Sequence, residues 1–236
     1  MLINRIFSLF LAFFLALPAF VACRAEQTPP DENRPVASEG EAFFDTLTFL
    51  GDSTTAHMQQ RSAIPKERIW ATAERYLNLD SRITYAKIVA PDSGAQETIA
   101  TVAARLQPRR LVITLGIDYG VYYYRDRPEL FRLYYGKLLD AISEASPRTT
   151  LILQSIFPVG RNARGVTNAM VASANAIIAE IAQERALFFV DQTPVLADTE
   201  GFLRDEYCYS EDGLHLTASA YTAILGHFAE LEDKIP

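Results

Sequence analysis

Cysteine and histidine are both scarce in this chain. Its 236 residues include two cysteines and three histidines. Only Cys208 lies within the body of the chain, which excludes a fold that depends on disulfide bonds. The histidines, His57, His215 and His227, do not stand at metal-ligand spacings from one another or from cysteine. The sequence therefore predicts no structural metal site.

Basic residues are also in deficit. The chain has 22 lysines and arginines against 29 aspartates and glutamates, a formal net charge of -7. Such a surface repels phosphate backbones, and no basic stripe interrupts it. Nucleic acid is therefore not an expected partner.

The N-terminus resembles a secretion signal. Arg5 is the only charge in the first 22 residues, and the apolar run "IFSLFLAFFLALPAFVA" follows it. This run is at the lower length limit for a membrane span, so an uncleaved anchor is one alternative. The ending "FVAC" resembles the lipobox of bacterial lipoproteins, which implies cleavage and lipidation at Cys23. Plain cleavage after Ala25 is the other alternative. We assign 1–23 to a signal peptide with a lipobox.

A polar tether follows the signal peptide. Residues 24–41 are rich in proline, acidic and small polar residues, which cannot bury apolar surface. We assign 42–236 to a single domain. These features predict an exported protein at the outer face of the cytoplasmic membrane or in the periplasm. An N-terminal lipid or anchor would attach it to the membrane, and otherwise it would be secreted.

Short apolar runs rich in β-branched and aromatic residues alternate with segments of helical periodicity. The predicted strands are 47–53, 83–89, 110–116, 150–156 and 186–191. The predicted helices are 66–76, 95–106, 128–146, 168–185 and 217–231. Nearly continuous hydrophobicity is typical of parallel strands covered on both faces. The alternation predicts an α/β fold, a three-layer α/β/α sandwich around a five-stranded parallel sheet.

Ser53 is a candidate nucleophile. The first predicted strand runs into "FLGDSTTAHM", so Ser53 stands at a carboxyl end of the sheet, where ligands bind in this architecture. A helix that starts there would direct backbone N–H groups at the reacting atoms. A serine hydroxyl also needs a base. In "SEDGLHLTASAY", Asp212 precedes His215 by three residues, a spacing that allows the carboxylate to orient the imidazole toward Ser53.

Four short motifs resemble the conserved blocks of the SGNH hydrolases, also called GDSL esterases or lipases. They are "GDS" at 51–53, "DSG" at 92–94, "LGID" at 115–118 and "DGLH" at 212–215. The likeness is strongest to a short bacterial branch that carries "GDSTT" and "DGLHL". This resemblance implies a flavodoxin-like sandwich and a serine hydrolase that acts on O-acyl esters without a cofactor.

The resemblance also implies roles for individual residues. Ser53 is then the nucleophile, His215 the base and Asp212 its orienting partner. The backbone N–H groups of Ser53 and Gly94 are two donors of the oxyanion hole. The family's third donor is an asparagine side chain, and Asp118 stands at its position here.

Asp118 departs from the family pattern in a way that matters for catalysis. An ionised carboxylate donates no hydrogen bond and would repel a developing oxyanion. Loss of one oxyanion donor typically costs about 10²–10³ in rate. Two arrangements would preserve activity: burial could keep Asp118 protonated, or a neighbour could supply the donor.

Five further residues near strand ends are candidate substrate contacts: Asp52, His57, Tyr119, Tyr122 and Arg161. Tyrosines offer stacking faces, and the Arg161 loop, which also holds Arg164, could attract an anionic substrate. The plainer interpretations are a wall position for His57, packing for the tyrosines and a solvated loop for the arginines.

The sequence thus favours a serine esterase for O-acyl esters of small molecules or glycans, including O-acetylated glycans. One alternative is a weakened or inactive binding protein on the same fold, because of Asp118. The other is an O-acyltransferase, which would use the same catalytic residues.

Overall fold

The computed structural model describes residues 39–209 and 211–236. The predicted signal peptide, Cys23 and most of the predicted tether lie outside these residues. Helix α1 (Glu39–Phe44) is the first element of the described residues, and the predicted start of the domain at residue 42 falls within it. Among the described helices, none combines the length and apolarity that a membrane crossing requires.

A five-stranded parallel sheet forms the centre of the described part of the chain. Its strands are β1 (Leu47–Gly51), β2 (Ile69–Trp70), β5 (Arg110–Thr114), β6 (Thr150–Gln154) and β7 (Phe188–Val190). Their spatial order is β2-β1-β5-β6-β7, and every neighbouring pair is parallel. This is the flavodoxin-like order. The predicted α/β fold class is confirmed.

Helices cover both faces of the sheet. After α1 come α2 (Ser53–Arg61), α3 (Ile99–Leu106), α4 (Pro128–Ala145), α5 (Asn168–Glu184), α6 (Thr193–Leu196) and α7 (Ala218–Glu230). Side chains of β5 alternate between the layers: Leu111 and Ile113 pack with α3, α4 and α5, whereas Val112 packs with α1, α2 and α7. Because both faces are covered, the central residues of β5 and β6 are apolar on both faces of the sheet.

The prediction for the second strand was wrong. The predicted strand 83–89 contains a 3₁₀ turn (Ile83–Tyr85) and then β3 (Lys87–Val89), which pairs antiparallel with β4 (Gln96–Thr98) outside the main sheet. Ile69 and Trp70, within the predicted helix 66–76, pair with β1 instead. A two-residue strand offers too short a pattern for periodicity to identify.

Gly116 shapes the loop that follows β5. Its φ of +137° lies in a region that side chains rarely adopt, and an added Cβ would approach Ile156 Cδ1 to 2.7 Å. Its backbone N–H also donates to the buried Asp52 carboxylate at 2.9 Å. The loop conformation therefore depends on glycine at this position.

Gly116→Ala is expected to lower the free energy of unfolding by about 2–4 kcal/mol, from backbone strain and overpacking together. Gly226→Ala is the matched control. Gly226 lies in α7 with nothing within 4 Å of an added Cβ, so alanine should stabilise the protein by about 0.5–1 kcal/mol. Urea unfolding measures both. Equal effects of the two changes would contradict the role assigned to Gly116.

Candidate active site

Ser53 lies at the point where β1 passes into α2. The preceding residue, Asp52, is the N-cap, and its carboxylate accepts from the backbone N–H and the hydroxyl of Thr54 at 3.3 and 2.9 Å. Ser53 is the first residue of the helix, so its backbone N–H has no partner within the helix. The strand end and the helix start thus place a hydroxyl and an N–H that has no helical partner side by side.

The Asp212 carboxylate holds the His215 ring in a fixed orientation. Asp212 Oδ1 accepts from the backbone N–H groups of Leu214 and His215 at 2.7 and 2.9 Å, which leaves Oδ2 for His215 Nδ1 at 2.6 Å. Burial raises the pKa of Asp212, but these hydrogen bonds outweigh it and lower the pKa below its ordinary value. The ionised carboxylate therefore keeps a proton on Nδ1 and leaves Nε2 to face the serine.

The turn that carries this pair requires glycine. Gly213 has a φ of +70°, and a Cβ there would meet the backbone N of Ala163 at 2.6 Å. The Gly160 N–H also donates to the Gly213 carbonyl oxygen at 2.7 Å. The loop after β6 thereby supports the turn that orients His215.

Ser53 and His215 meet although 162 positions separate them. His215 Nε2 lies 3.1 Å from Ser53 Oγ. Two contacts tie the flanking elements together: the Arg61 guanidinium donates to the Leu216 carbonyl oxygen at 2.7 Å, and the Tyr221 hydroxyl donates to the Thr54 carbonyl oxygen at 2.6 Å. The predicted juxtaposition of serine, histidine and aspartate is thus present in the structure.

Asp118 contacts Ser53 through both carboxyl oxygens. Oδ1 lies 2.5 Å from Ser53 Oγ, and Oδ2 accepts from the Ser53 backbone N–H at 2.8 Å. Burial raises the pKa of Asp118 above its ordinary value, although hydrogen bonds from Ser53 and the charge of His215 oppose that rise. Asp118 thus lies against both the hydroxyl and the backbone N–H of Ser53.

Asp52 is a structural carboxylate and not a substrate contact, which corrects the sequence-based prediction. It is 1 % exposed, and its Oδ2 accepts from the backbone N–H groups of Gly116 and Ile117, both at 2.9 Å. Burial and then the charge of Asp118 raise the pKa of Asp52 to about 7. Asp52 therefore anchors the loop that carries Asp118.

The two carboxyls compete for one proton, because burial and mutual repulsion oppose a double negative charge. Donors from Thr54, Gly116 and Ile117 already point at both oxygens of Asp52. A proton on Asp52 Oδ1 has the Thr54 hydroxyl as an acceptor, and a proton on Asp118 Oδ1 has the Ser53 hydroxyl. Either carboxyl of the pair can therefore hold the proton.

The structure does not support Gly94 as an oxyanion donor. Its N–H donates to the Ala90 carbonyl oxygen at 2.7 Å, in the turn between β3 and β4. The prediction placed Gly94 at the end of a parallel strand, but its turn belongs to an antiparallel hairpin. Its N–H is committed to that turn.

His57 and Tyr119 lie close to the predicted catalytic residues. The His57 ring centroid is 4.3 Å from that of His215, and burial lowers the pKa of His57 to about 4. A neutral His57 thus forms a wall of the site. Tyr119 stacks beneath Tyr123 with centroids 3.9 Å apart, so it supports a more exposed ring.

Arg161 is engaged elsewhere, contrary to its prediction as a substrate contact. Its guanidinium lies 2.7 Å from an Asp198 carboxylate oxygen and 3.0 Å from one of Glu200. The hydrogen bonds that its guanidinium donates to these carboxylates raise the pKa of Arg161. Arg164, in the same loop, lines the cleft instead.

A depression of about 490 Å³ opens beside Asp118. Its polar and aromatic lining comes from Tyr76, Asn78, Tyr122, Tyr123 and Arg164. The sequence-based prediction included Tyr122 but missed Tyr76 and Asn78. Tyr76 lies within a segment that was predicted to be helical, and no motif marks Asn78. Within the described residues, no group of three or more His, Cys, Asp or Glu side chains is placed to hold a metal ion.

The sheet order and the serine at its carboxyl edge define an α/β sandwich of the SGNH hydrolase type. The chain belongs to the GDSL-like lipase/acylhydrolase family, whose model matches residues 49–223. Membership of this family supports the hydrolysis of carboxylic esters.

Solved structures share this fold. A GDSL-like lipase from Bacteroides thetaiotaomicron matches with a TM-score of 0.53 at 16% identity, over 80% of this chain and 87% of that one. A candidate arylesterase from Agrobacterium tumefaciens matches with a TM-score of 0.52 at 18% identity, over 80% and 99% of the two chains. At such identities the likeness concerns the fold alone. No curated protein matches this sequence.

The carboxyl pair predicts a pH dependence of stability. Because the folded-state pKa values of Asp52 and Asp118 lie above the ordinary 3.8, the folded protein binds protons more tightly than the unfolded chain. Their contribution to stability is present below about pH 4 and is lost as the pH rises toward the folded value, about 7 for Asp52.

Asp118→Asn removes the repulsion within the pair, so its free energy of unfolding should fall less over this pH range than that of the wild type. Urea unfolding of both proteins at several pH values measures the difference. If the free energy of unfolding changed with pH in the same way in both proteins, the two carboxyls would not interact.

Proposed function

We propose that this protein is a serine esterase that hydrolyses O-acyl esters, with Ser53 as nucleophile. The observation that carries the proposal is a pair of hydrogen bonds through the His215 ring: Nε2 contacts Ser53 Oγ, and Nδ1 contacts the Asp212 carboxylate. Such a chain of hydrogen bonds activates a serine hydroxyl, which is otherwise a weak nucleophile. Family membership supports the same reaction class.

The reaction follows from these positions. Ser53 Oγ bonds to the acyl carbon while its proton passes to His215 Nε2, and the carbonyl oxygen becomes an oxyanion. The oxyanion then re-forms the carbonyl, and the ester C–O bond breaks as the alcohol leaves with the proton from Nε2. Water bonds to the acyl carbon of the acyl-enzyme and gives one proton to Nε2; the bond from Ser53 Oγ to that carbon then breaks, and the proton on Nε2 returns to Oγ as the acid leaves. Asp212 stabilises the imidazolium in each half-reaction.

Asp118 supplies the donor that the family's asparagine would provide. When protonated, Asp118 donates Oδ1–H to Ser53 Oγ, which leaves the serine hydroxyl proton for His215. On attack, the oxyanion displaces Asp118 Oδ2 from the Ser53 backbone N–H and accepts from that N–H and from the carboxyl O–H. A neutral carboxyl in an oxyanion hole avoids the repulsion that an ionised one would cause.

A binding protein without hydrolysis is the second candidate. The observation in its favour is that Asp118 Oδ2 already accepts the Ser53 N–H, so an ionised Asp118 would block the oxyanion hole. Acyl transfer to a sugar requires the same residues as hydrolysis. The two differ only in whether water or an alcohol attacks the acyl-enzyme.

We also propose that the protein acts outside the cytoplasm, tethered through Cys23 or an uncleaved anchor. The support is the sequence of 1–41 alone. O-acetylated glycans of the envelope are esters that a protein at this location would encounter.

Labelling with a fluorophosphonate tests the nucleophile. The wild type should form a covalent adduct on Ser53, seen by intact mass and peptide mapping, and Ser53→Ala should not. Ser143→Ala, at an exposed serine of α4, is the matched control and should label like the wild type. An unlabelled wild type would favour the binding protein.

The pH dependence of kcat/KM for phenyl acetate tests the state of Asp118. Because the pKa of Asp118 is raised, the wild type should keep its oxyanion donor in acid and lose it as the pH rises. The ratio of Asp118→Asn to wild-type activity should therefore increase from near unity at about pH 5 to at least about tenfold at alkaline pH.

A constant ratio would contradict this account in one of two ways. A uniformly high ratio would mean that Asp118 is ionised throughout. A uniformly low ratio of Asp118→Asn to wild-type activity would mean that Asp118 donates no hydrogen bond that an asparagine side chain could supply in its place.

A further inference from the structure

Two depressions adjoin at the active-site edge of the domain. The first, of about 490 Å³, includes Asp118 in its lining. The second, of about 320 Å³, includes Tyr85 and Lys87, and Tyr76 and Asn78 line both. We call the two together the tyrosine groove. It leads from the residue that contacts Ser53 to the loop before β3.

Tyrosine rings dominate the exposed apolar surface of this groove. Tyr76, Tyr85, Tyr122 and Tyr123 are 51, 76, 42 and 48 % exposed. Contiguous exposed apolar surface with a polar rim is typical of ligand-binding grooves. Two of the four are also held in place: Tyr123 stacks on Tyr119, and the Arg125 guanidinium lies 4.5 Å from the centre of the Tyr122 ring. Supported rings lose little entropy when a ligand stacks on them.

Polar groups stand between the rings. Arg164 and Asn78 line the first depression, and Asp80, Arg82 and Lys87 line the second. Within the described residues Arg164 forms no ion pair, whereas Arg161 in the same loop is neutralised by Asp198 and Glu200. The Arg164 guanidinium therefore keeps its donors for a ligand.

We infer that the tyrosine groove binds the sugar residues that flank the acylated one in a polysaccharide. This inference rests on the proposed esterase function and names its substrate class. Sugar rings have apolar C–H faces and hydroxyl edges, which match tyrosine faces with polar groups between them. A lipid chain would instead call for a continuous aliphatic lining. The groove is open, and its lining includes Asp118, which contacts Ser53, so a chain can lie across it with its ester near Ser53.

Binding to the inactive Ser53→Ala variant tests the groove apart from catalysis. The probes are O-acetylated xylan, mannan and peptidoglycan fragments of one and of six sugars, measured by calorimetry. The best six-sugar fragment should bind at least about tenfold more tightly than its one-sugar form. Adding Tyr76→Ala should weaken that binding at least about fivefold, as expected for a stacked ring. Tyr76→Phe keeps the ring and should bind within about twofold of Ser53→Ala.

Leu133→Ala is the matched surface control. Leu133 is an exposed residue of α4 outside the tyrosine groove, so its change should leave the binding of the six-sugar fragment unaltered. Binding that does not depend on chain length would overturn the inference, as would a loss shared by Tyr76→Ala and Leu133→Ala. Failure of all fragments to bind would overturn it too.

Tyr76→Ala and Leu133→Ala, made without the Ser53 change, allow the groove to be tested through catalysis as well. The ratio of kcat/KM for the six-sugar ester to that for phenyl acetate should fall in Tyr76→Ala and stay constant in Leu133→Ala. If fluorophosphonate fails to label Ser53, the esterase proposal fails, while binding to Ser53→Ala still decides whether the groove holds a glycan. Labelling without glycan binding would leave an esterase and refute the groove.

Discussion

The contact between Ser53 and Asp118 is the interaction on which this account depends. The serine hydroxyl lies between two groups that compete for its proton, His215 Nε2 at 3.1 Å and Asp118 Oδ1 at 2.5 Å. If Asp118 carries a proton, the hydroxyl donates to histidine and is activated. If Asp118 is ionised, the hydroxyl donates to it, and the oxyanion hole is blocked by charge. One proton thus separates an esterase from a binding protein.

The fold places a second carboxyl, that of Asp52, where it competes for that proton. Asp52 is buried beneath the loop after β5, and four backbone and hydroxyl donors point at its carboxylate. Burial raises the pKa of Asp118, whose Oδ1 is the oxygen that can donate to Ser53. In the proposed function, a protonated Asp118 takes the place of the missing asparagine donor.

The sequence predicted the parts that depend on strong local patterns. Long apolar strands and the "GDS" and "DGLH" turns placed Ser53 and His215 at one sheet edge, because the carboxyl ends of parallel strands meet there. It failed at β2, where two residues carry no periodicity, and so misplaced Gly94. Burial of Asp52 and the pairing of Arg161 depend on contacts between distant segments. Local sequence patterns do not specify contacts between distant segments.

The most direct test of the central claim is an infrared spectrum of the carboxyl groups at neutral pH. The difference between wild type and Asp118→Asn should contain the C=O band of a protonated carboxylic acid, which this account assigns to Asp118. A difference spectrum with carboxylate bands alone would show that Asp118 is ionised, and would contradict the account.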